Sequence, residues 1–386
     1  MHVPLWRGLG GGIRIPRILE CIMLLRVTSF FPILATMSLQ KLRVIAVIKK
    51  PTEVIQINFE TLNGEKLNYL AGQFITLVFN VNGKELRRSY SFCSSPAIDE
   101  PISIAVKLVE NGEISRLMHH QITVGDIVEI AEPNGMFVYQ AEEQTERTLF
   151  LFGAGVGITP LFSILKTALL TETRSKIVLI YSSRSADDTL FLEEIAAWQV
   201  SYPDRLTVIH LFSNSKNLMR ARLNGFLINQ LVKENMAFDK NDALFYICGP
   251  YDYMDVCKIT LLGAGFKPDQ VKKEVFVAPE DELDEDDTTE KIVDKNTYSV
   301  ILHFQGNVHQ LSVPWPKRIL EVALANKINL PYSCSGGVCS TCTATCIAGG
   351  VRMDYNEVLT DDEVANGRVL VCTGHPTENG TTITWD

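Results

Sequence analysis

The sequence has no surplus of positive charge. Its 36 Lys and Arg face 45 Asp and Glu, a net charge of −9, so it offers no basic footprint for nucleic acid. It is poor in cysteine, nine in 386 residues, and four of these crowd into the thirteen residues Cys334–Cys346. That distribution does not suit a secreted disulfide scaffold and fits a metal role in a reducing, cytoplasmic setting. Long apolar runs are also missing. The stretch "CIMLLRVTSFFPILATM" is broken by Arg26 and Pro32, which argues against a membrane span and against the apolar core of a signal peptide. Residues 1–38, with four arginines and one acid up to Thr36, are read as a leader or a mis-set start, Met37 being the expected true beginning.

What is present is the composition of a globular protein, 46% apolar and 21% charged, at a length that calls for two or three domains. Residues 39–142 read as short β-branched and aromatic runs separated by Asn-Gly turns, the pattern of a small antiparallel β-barrel. Residues 146–278 alternate apolar strands with amphipathic helices ("TLFLFGAGVG" then "ITPLFSILKTALL"; "KIVLIYSS" then "DDTLFLEEIAAW"; "ALFYICGP" then "YDYMDVCKITLLGAGF"). This implies an α/β domain with a parallel sheet. Residues 279–296, "PEDELDEDDTTEKIVDKN", are too acidic and too poor in aromatics to fold alone and read as a linker. Residues 297–386 form a small α+β domain, with Thr360 and Glu363 placed as a capping box.

Cys334, Cys339 and Cys342 stand in C-x4-C-x2-C spacing, with Cys372 far downstream, as in a plant-type site for a 2Fe-2S cluster. Ser335, Gly336, Gly337 and Ser340 let backbone amides turn toward anionic sulfur. Structural zinc would favour paired short knuckles, and here the fourth cysteine is alone. Cys346 falls outside the pattern and reads as a buried small apolar residue.

In the barrel, "RRSYSFCSS" sets Arg88, Tyr90 and Ser91 at a strand end. There a guanidinium for a pyrophosphate and a flat ring for a flavin can lie side by side. "NGEIS" adds Gly112 and Ser115 at the start of a helix whose first amides suit phosphate oxygens. In the second domain "GAGVGITP" follows a strand and opens a helix. Gly153, Gly155 and Gly157 allow close approach of a dinucleotide, and Thr159 and Pro160 stand at favoured helix-start positions. Ser183 and Arg184 end the next strand where an acid would suit NAD, and so favour the 2′-phosphate of NADPH, with NADH still possible. Cys248, Gly249 and Pro250 fall at the carboxyl edge of the sheet, where ligands of open α/β folds bind.

Taken in order, "RSYS", "GEIS", "GAGVGITP", "CGP" and the cysteine loop resemble the ferredoxin-NADP reductase superfamily fused to a C-terminal plant-type ferredoxin, over residues 39–386. The resemblance implies FAD on Arg88, Tyr90, Ser91, Gly112 and Ser115, and NADPH around Gly155, Gly157, Thr159 and Cys248. Glu274 and Phe276 match an E-x-F element beside the flavin, which with Tyr90 and Cys248 would surround the reacting centre. It also implies a β-grasp fold for the last domain. The His that the family often has before Glu274 is absent, and Val271, Lys272 and Lys273 stand there. The likeness extends to reductases that serve phenylacetyl-CoA epoxidase and to those that feed ketosteroid and other ring hydroxylases. It implies a path from NADPH through FAD and the cluster to a terminal oxygenase or another electron-acceptor protein. The alternatives are a reductase for a Rieske oxygenase, cytochrome P450 or desaturase, and a redox sensor. The acidic linker would let the last domain swing toward the acceptor.

Overall fold

The computed structural model describes residues 39–216, 222–276 and 296–385. The leader and nearly all of the acidic linker therefore lie outside the described residues. Strands β1 (Gln40–Lys50), β2 (Val54–Thr61), β3 (Phe74–Val81), β4 (Lys84–Ser91), β5 (Ile102–Lys107) and β6 (Ile127–Asn134) form one antiparallel sheet in the order β4-β3-β6-β1-β2-β5. A bridge between Phe92 and Ile104 brings its two edges together and closes the barrel. The β3–β4 hairpin turns on Asn82 and Gly83, both with positive φ (53° and 77°). That mirror-image turn matches the twist of the strands, and Asn and Gly tolerate it best. Helix α1 (Glu113–Gln121) follows β5.

The next domain is a five-stranded parallel sheet, ordered β11-β10-β7-β8-β9, from β7 (Thr148–Ala154), β8 (Lys176–Ser183), β9 (Leu206–Phe212), β10 (Leu244–Cys248) and β11 (Val271–Glu274). Every residue of β7 is buried, as a central strand covered on both faces requires. Helices α2 (Ile158–Thr171) and α3 (Leu192–Ser201) pack on the face toward the barrel, while α4 (Gly225–Asn235) and α5 (Tyr251–Gly263) cover the other. Two expectations shift here. Helix α3 starts only at Leu192, because Phe191 adopts a left-handed φ of 59° and the residues before it form turns. Gly157, rather than Thr159, caps α2, so Thr159 and Pro160 already lie inside its first turn.

The last domain pairs β12 (Thr297–Phe304) with β13 (Asn307–Pro314), then runs through α6 (Ile319–Ala325), β14 (Thr343–Ala348), β15 (Val351–Met353), α7 (Asp361–Ala365), β16 (Arg368–Leu370), β17 (Gly374–Pro376) and β18 (Thr381–Thr384). The sheet order is β13-β12-β18-β14-β16, with β18 parallel to β12 at the centre, the mixed arrangement of a β-grasp. The capping box forms as expected: Glu363 N–H donates to the Thr360 hydroxyl, and Thr360 N–H donates to the Glu363 carboxylate. Cys346 departs from its reading as a buried residue. It is half-exposed, its thiol donating to Ala348 O at 3.3 Å, because β14 turns outward beyond Ala344.

All described residues belong to one unit, Met37–Asp386. The barrel and the nucleotide domain share a continuous core in which Ala71, Cys93, Phe137 and Tyr139 meet Ile164, Leu165 and Tyr246. Among the described residues no helix is long and apolar enough to cross a membrane.

Candidate functional site

Arg88, Tyr90, Ser91, Gly112, Ser115, Thr159 and Phe276 all line one cavity of about 580 Å³ between the barrel and the nucleotide domain. Strand β4 supplies the first three at its end, α1 opens on the cavity, and Thr159 arrives from the first turn of α2. No side chain caps α1, so its first amides face the space without an internal partner from a cap. Ser115 is committed to the loop before it, accepting from Val109 N–H at 3.1 Å. A Cβ on Gly112 would come within 2.5 Å of that hydroxyl, which explains the glycine. Burial pushes the Tyr90 phenol up to about 12, against the pull of Arg88, so it is neutral at physiological pH. The cavity has the volume of a cofactor site, a cationic end (Arg88, Lys107) and an aromatic wall, and these suit a flavin with its pyrophosphate.

Glu274 is buried beside this cavity, and its Oε2 accepts from Ser91 Oγ at 3.2 Å. Burial raises its carboxyl to about 8, and the Ser91 hydrogen bond offsets only part of that rise. Cys248 is its partner across β10 and β11 and is fully buried. Burial first, and then the nearby Glu274 carboxyl, hold its thiol well above the ordinary value.

The glycines of the nucleotide loop have separate tasks. Gly155 adopts φ +55° with open space where a Cβ would project, and its carbonyl accepts from Tyr181 OH at 3.0 Å. Gly157 must lack a Cβ because the Cys248 carbonyl oxygen lies 2.3 Å from where one would stand. Gly153 packs on Leu161, and Gly249 faces Ala154. Gly249 and Pro250 lead from β10 into α5, with Pro250 as its cap. Ser183 Oγ shares a hydrogen bond of 2.7 Å with Thr189 Oγ1 inside its own loop, while Arg184 beside it is exposed at the strand end.

The four cysteines of the last domain come together across its loops. Cys339, Cys342 and Cys372 are buried and Cys334 half-buried. The loop takes positive φ at Ser335, Gly337 and Ser340 (55°, 77° and 58°), which turns amides inward: Cys334 N–H lies 3.4 Å from Cys339 Sγ, and Gly336 N–H 3.4 Å from Cys334 Sγ. The thiols adjoin in series, Cys339 to Cys334, Cys334 to Cys372, and Cys372 to Cys342. The Cys334 sulfur and then burial raise the Cys339 thiol far above its usual range. Cys372 is pushed up to about 12, because Cys342 and burial outweigh the opposite effect of Cys334. Four cysteine sulfurs brought this close are soft ligands that a metal centre would bind as thiolates. Among the described residues no group of three or more His, Cys, Asp or Glu forms a ready site for a lone metal ion. Four sulfurs on C-x4-C-x2-C spacing with a distant fourth cysteine suit a two-iron cluster.

Sequence reasoning missed Ser89, Lys107, Asn111 and Val156 on the cavity wall, and also Thr76 and Ser333. Ser333, the residue before Cys334, bonds to Thr76 Oγ1 at 2.9 Å and to Ser89 Oγ, joining the cluster loop to the cavity wall. These contacts span more than 240 residues and leave no local pattern.

A barrel cavity shaped for flavin, a parallel sheet with an open glycine loop and a four-cysteine loop together define a pyridine-nucleotide-linked flavin and iron–sulfur oxidoreductase. Family models match in the same order: an oxidoreductase FAD-binding domain over residues 41–139, an oxidoreductase NAD-binding domain over 151–258 and a 2Fe-2S iron-sulfur cluster binding domain over 302–377. The 1,2-phenylacetyl-CoA epoxidase of Escherichia coli (strain K12) has a subunit that is 32% identical over 326 residues, 83% of this chain and 90% of its own length. The ferredoxin reductase component of 3-ketosteroid-9-alpha-monooxygenase from Rhodococcus rhodochrous is 31% identical over 341 residues, 87% of this chain and 93% of its own. The structure of phthalate dioxygenase reductase shares the fold, with a TM-score of 0.57 at 23% identity over 90% of this chain and 98% of that one. The chain belongs to the ferredoxin-reductase-type flavoproteins with a C-terminal 2Fe-2S domain and is an NAD(P)H-linked oxidoreductase.

Proposed function

We propose that this protein is a cytoplasmic reductase component that takes electrons from NADPH and delivers them, through FAD and the 2Fe-2S cluster, to an oxygenase of the phenylacetyl-CoA epoxidase type. The observation that carries this reading is the cavity lined by Arg88, Tyr90, Thr159 and Phe276, whose wall meets the cysteine loop through Thr76, Ser89 and Ser333. The similarity to an epoxidase component and to a monooxygenase reductase component supports an oxygenase as acceptor.

Bound FAD supplies the exchange between two-electron and one-electron chemistry, and the iron pair supplies the one-electron exit. The chain does the rest. Arg88 balances pyrophosphate charge, with Gly112 and Ser115 shaping the helix start beneath it. Tyr90 and Phe276 offer aromatic surfaces to the ring system. Ser91 and Glu274 hold a proton near the reacting centre, since a carboxyl with a pKa of about 8 is still largely protonated at neutral pH. Gly153, Gly155, Gly157, Thr159, Gly249 and Pro250 shape the nucleotide's seat, and Cys248 packs behind it. Ser183 and Arg184 choose NADPH through the 2′-phosphate, for which an exposed guanidinium at the strand end is suited. Cys334, Cys339, Cys342 and Cys372 hold the cluster. Domains of 39–142, 146–278 and 297–386 carry these tasks in turn.

The test is anaerobic titration with NADPH and separately with NADH, following the visible spectrum and the EPR signal. Flavin bleaching followed by a reduced two-iron signal, at lower concentrations of NADPH than of NADH, is expected. Absence of bleaching with both would overturn the reading. A Rieske or haem oxygenase that accepts electrons faster than a phenylacetyl-CoA-epoxidising one would reassign the acceptor.

A further inference from the structure

Three polar contacts join the cluster domain to the other two. In the middle, Ser333 bonds to Thr76 and Ser89 on β3 and β4. On one side, the Arg87 guanidinium lies 4.3 Å from the centre of the Tyr332 ring and donates to Tyr332 O at 3.2 Å, while Tyr332 OH donates to Glu85 at 3.3 Å. On the other, Lys273 Nζ pairs with Glu357 Oε2 at 2.9 Å and with Asp255 Oδ1 at 3.3 Å, and Tyr251 OH donates to Glu357 Oε1 at 3.3 Å.

The third contact differs from the others in chemistry. It is an ion pair whose side chains are only 13% and 15% exposed. Burial opposes both charges, yet the pairing prevails: the Glu357 carboxyl is held below its ordinary range and the Lys273 ammonium above its own. It also reaches the cysteines through the backbone, since Glu357 N–H donates to Gly337 O at 3.1 Å within the cluster loop. On the other side Lys273 adjoins Glu274, the buried carboxyl beside the flavin cavity.

We propose that Lys273 and Glu357 are positioning residues for the internal electron step, their ion pair fixing the cysteine loop against the wall of the flavin cavity. The proposal rests on the reductase reading above. In that step one electron leaves reduced FAD and converts one ferric iron of the cluster to ferrous. Two such steps, with the acceptor emptying the cluster between them, return FAD to its oxidised form and free the proton that arrived with the hydride. Asp255 lies on the nucleotide domain beside Lys273 and gives the lysine a second carboxylate partner.

The test compares Glu357→Lys, Lys273→Glu and the double exchange as holoproteins. Anaerobic mixing with NADPH separates flavin bleaching from cluster reduction, and small-angle scattering of the oxidised proteins follows domain separation. Glu357→Lys is expected to keep its flavin bleaching rate while cluster reduction slows roughly tenfold, with a larger radius of gyration and a weakened response to added salt. The double exchange should recover part of both losses, since Asp255 then faces a like charge, whereas an effect that does not run through the pair would give no recovery. If Glu357→Lys folds poorly, Glu357→Gln should show the same split on a smaller scale. Unchanged cluster reduction and radius in the single variants would overturn the proposal. Failure of NADPH to bleach the flavin in the unaltered protein would instead defeat the reductase reading, and the scattering result alone would then decide the seat.

Discussion

The two junctions of this molecule are built on opposite principles. The barrel and the nucleotide domain share one apolar core and a buried ion pair, Arg147 with Glu172, whose side chains are 10% and 0% exposed. Arg147 also donates to Gln140 O at the end of the barrel, so the pair ties the two domains where the chain crosses between them. The cluster domain keeps a core of its own and meets the others mainly through hydroxyls, one stacked guanidinium and one ion pair, with Val338, Cys334 and Tyr355 as its apolar contribution. Apolar burial fixes the first junction permanently, whereas a polar seat gives geometry at little net cost and can be exchanged for another surface.

Several variants would break or sharpen that contrast. The largest effect is expected from Cys339→Ser: cluster-dependent reduction of an acceptor should vanish while NADPH still bleaches the flavin. Loss of both would show that the cluster domain props up the other two. Next, Glu172→Gln leaves the Arg147 charge buried and uncompensated and should cost about 3 kcal/mol. Thermal melting followed by flavin release should report that loss, and melting followed by cluster absorbance should not.

Glu274→Gln should act through pH. The folded carboxyl, at about 8, titrates above its unfolded value, so between the two the folded chain keeps a proton that the unfolded chain has released. Stability conferred by the natural residue therefore falls as pH rises from about 5 to about 8, then levels off. The melting point of the Gln variant relative to the natural chain should rise across that window, and a flat difference would deny the buried titration. The smallest effect belongs to the polar seat: Glu357→Gln leaves Lys273 its second partner, Asp255, and should lower global stability by less than Glu172→Gln does, even as it slows cluster reduction. A larger loss measured by denaturant would place this contact with the permanent junction.

The residues that could be read in the sequence were those whose geometry is set locally. The Asn82–Gly83 turn, the Thr360 capping box, the glycine loop and the C-x4-C-x2-C spacing each impose a backbone demand that few residue types meet. Strand β9 and helix α4 are missing from the expected elements although "RLTVIHLF" and the Asn224 cap carry signals for them; Asn224 Oδ1 accepts from Leu227 N–H at 3.0 Å. Phe191 could not have been foreseen, because its left-handed turn is held by stacking on Phe162 at 4.9 Å, a tertiary contact that overrides local preference. The pairing of Lys273 with Glu357 was equally hidden: 84 residues separate them, and no local pattern links the two.

The parallel pairing of β18 with β12 carries a consequence for how the protein is made. Thr381–Thr384 fill the central slot of the last sheet, between β12 and β14, so that sheet cannot close until those residues have left the ribosome. The barrel and nucleotide domain precede it and can fold as units during synthesis. Loading of iron and sulfur then becomes a late event in biogenesis, on a chain whose flavin site already exists. A nascent chain stopped before Thr381 would emerge yellow but without iron.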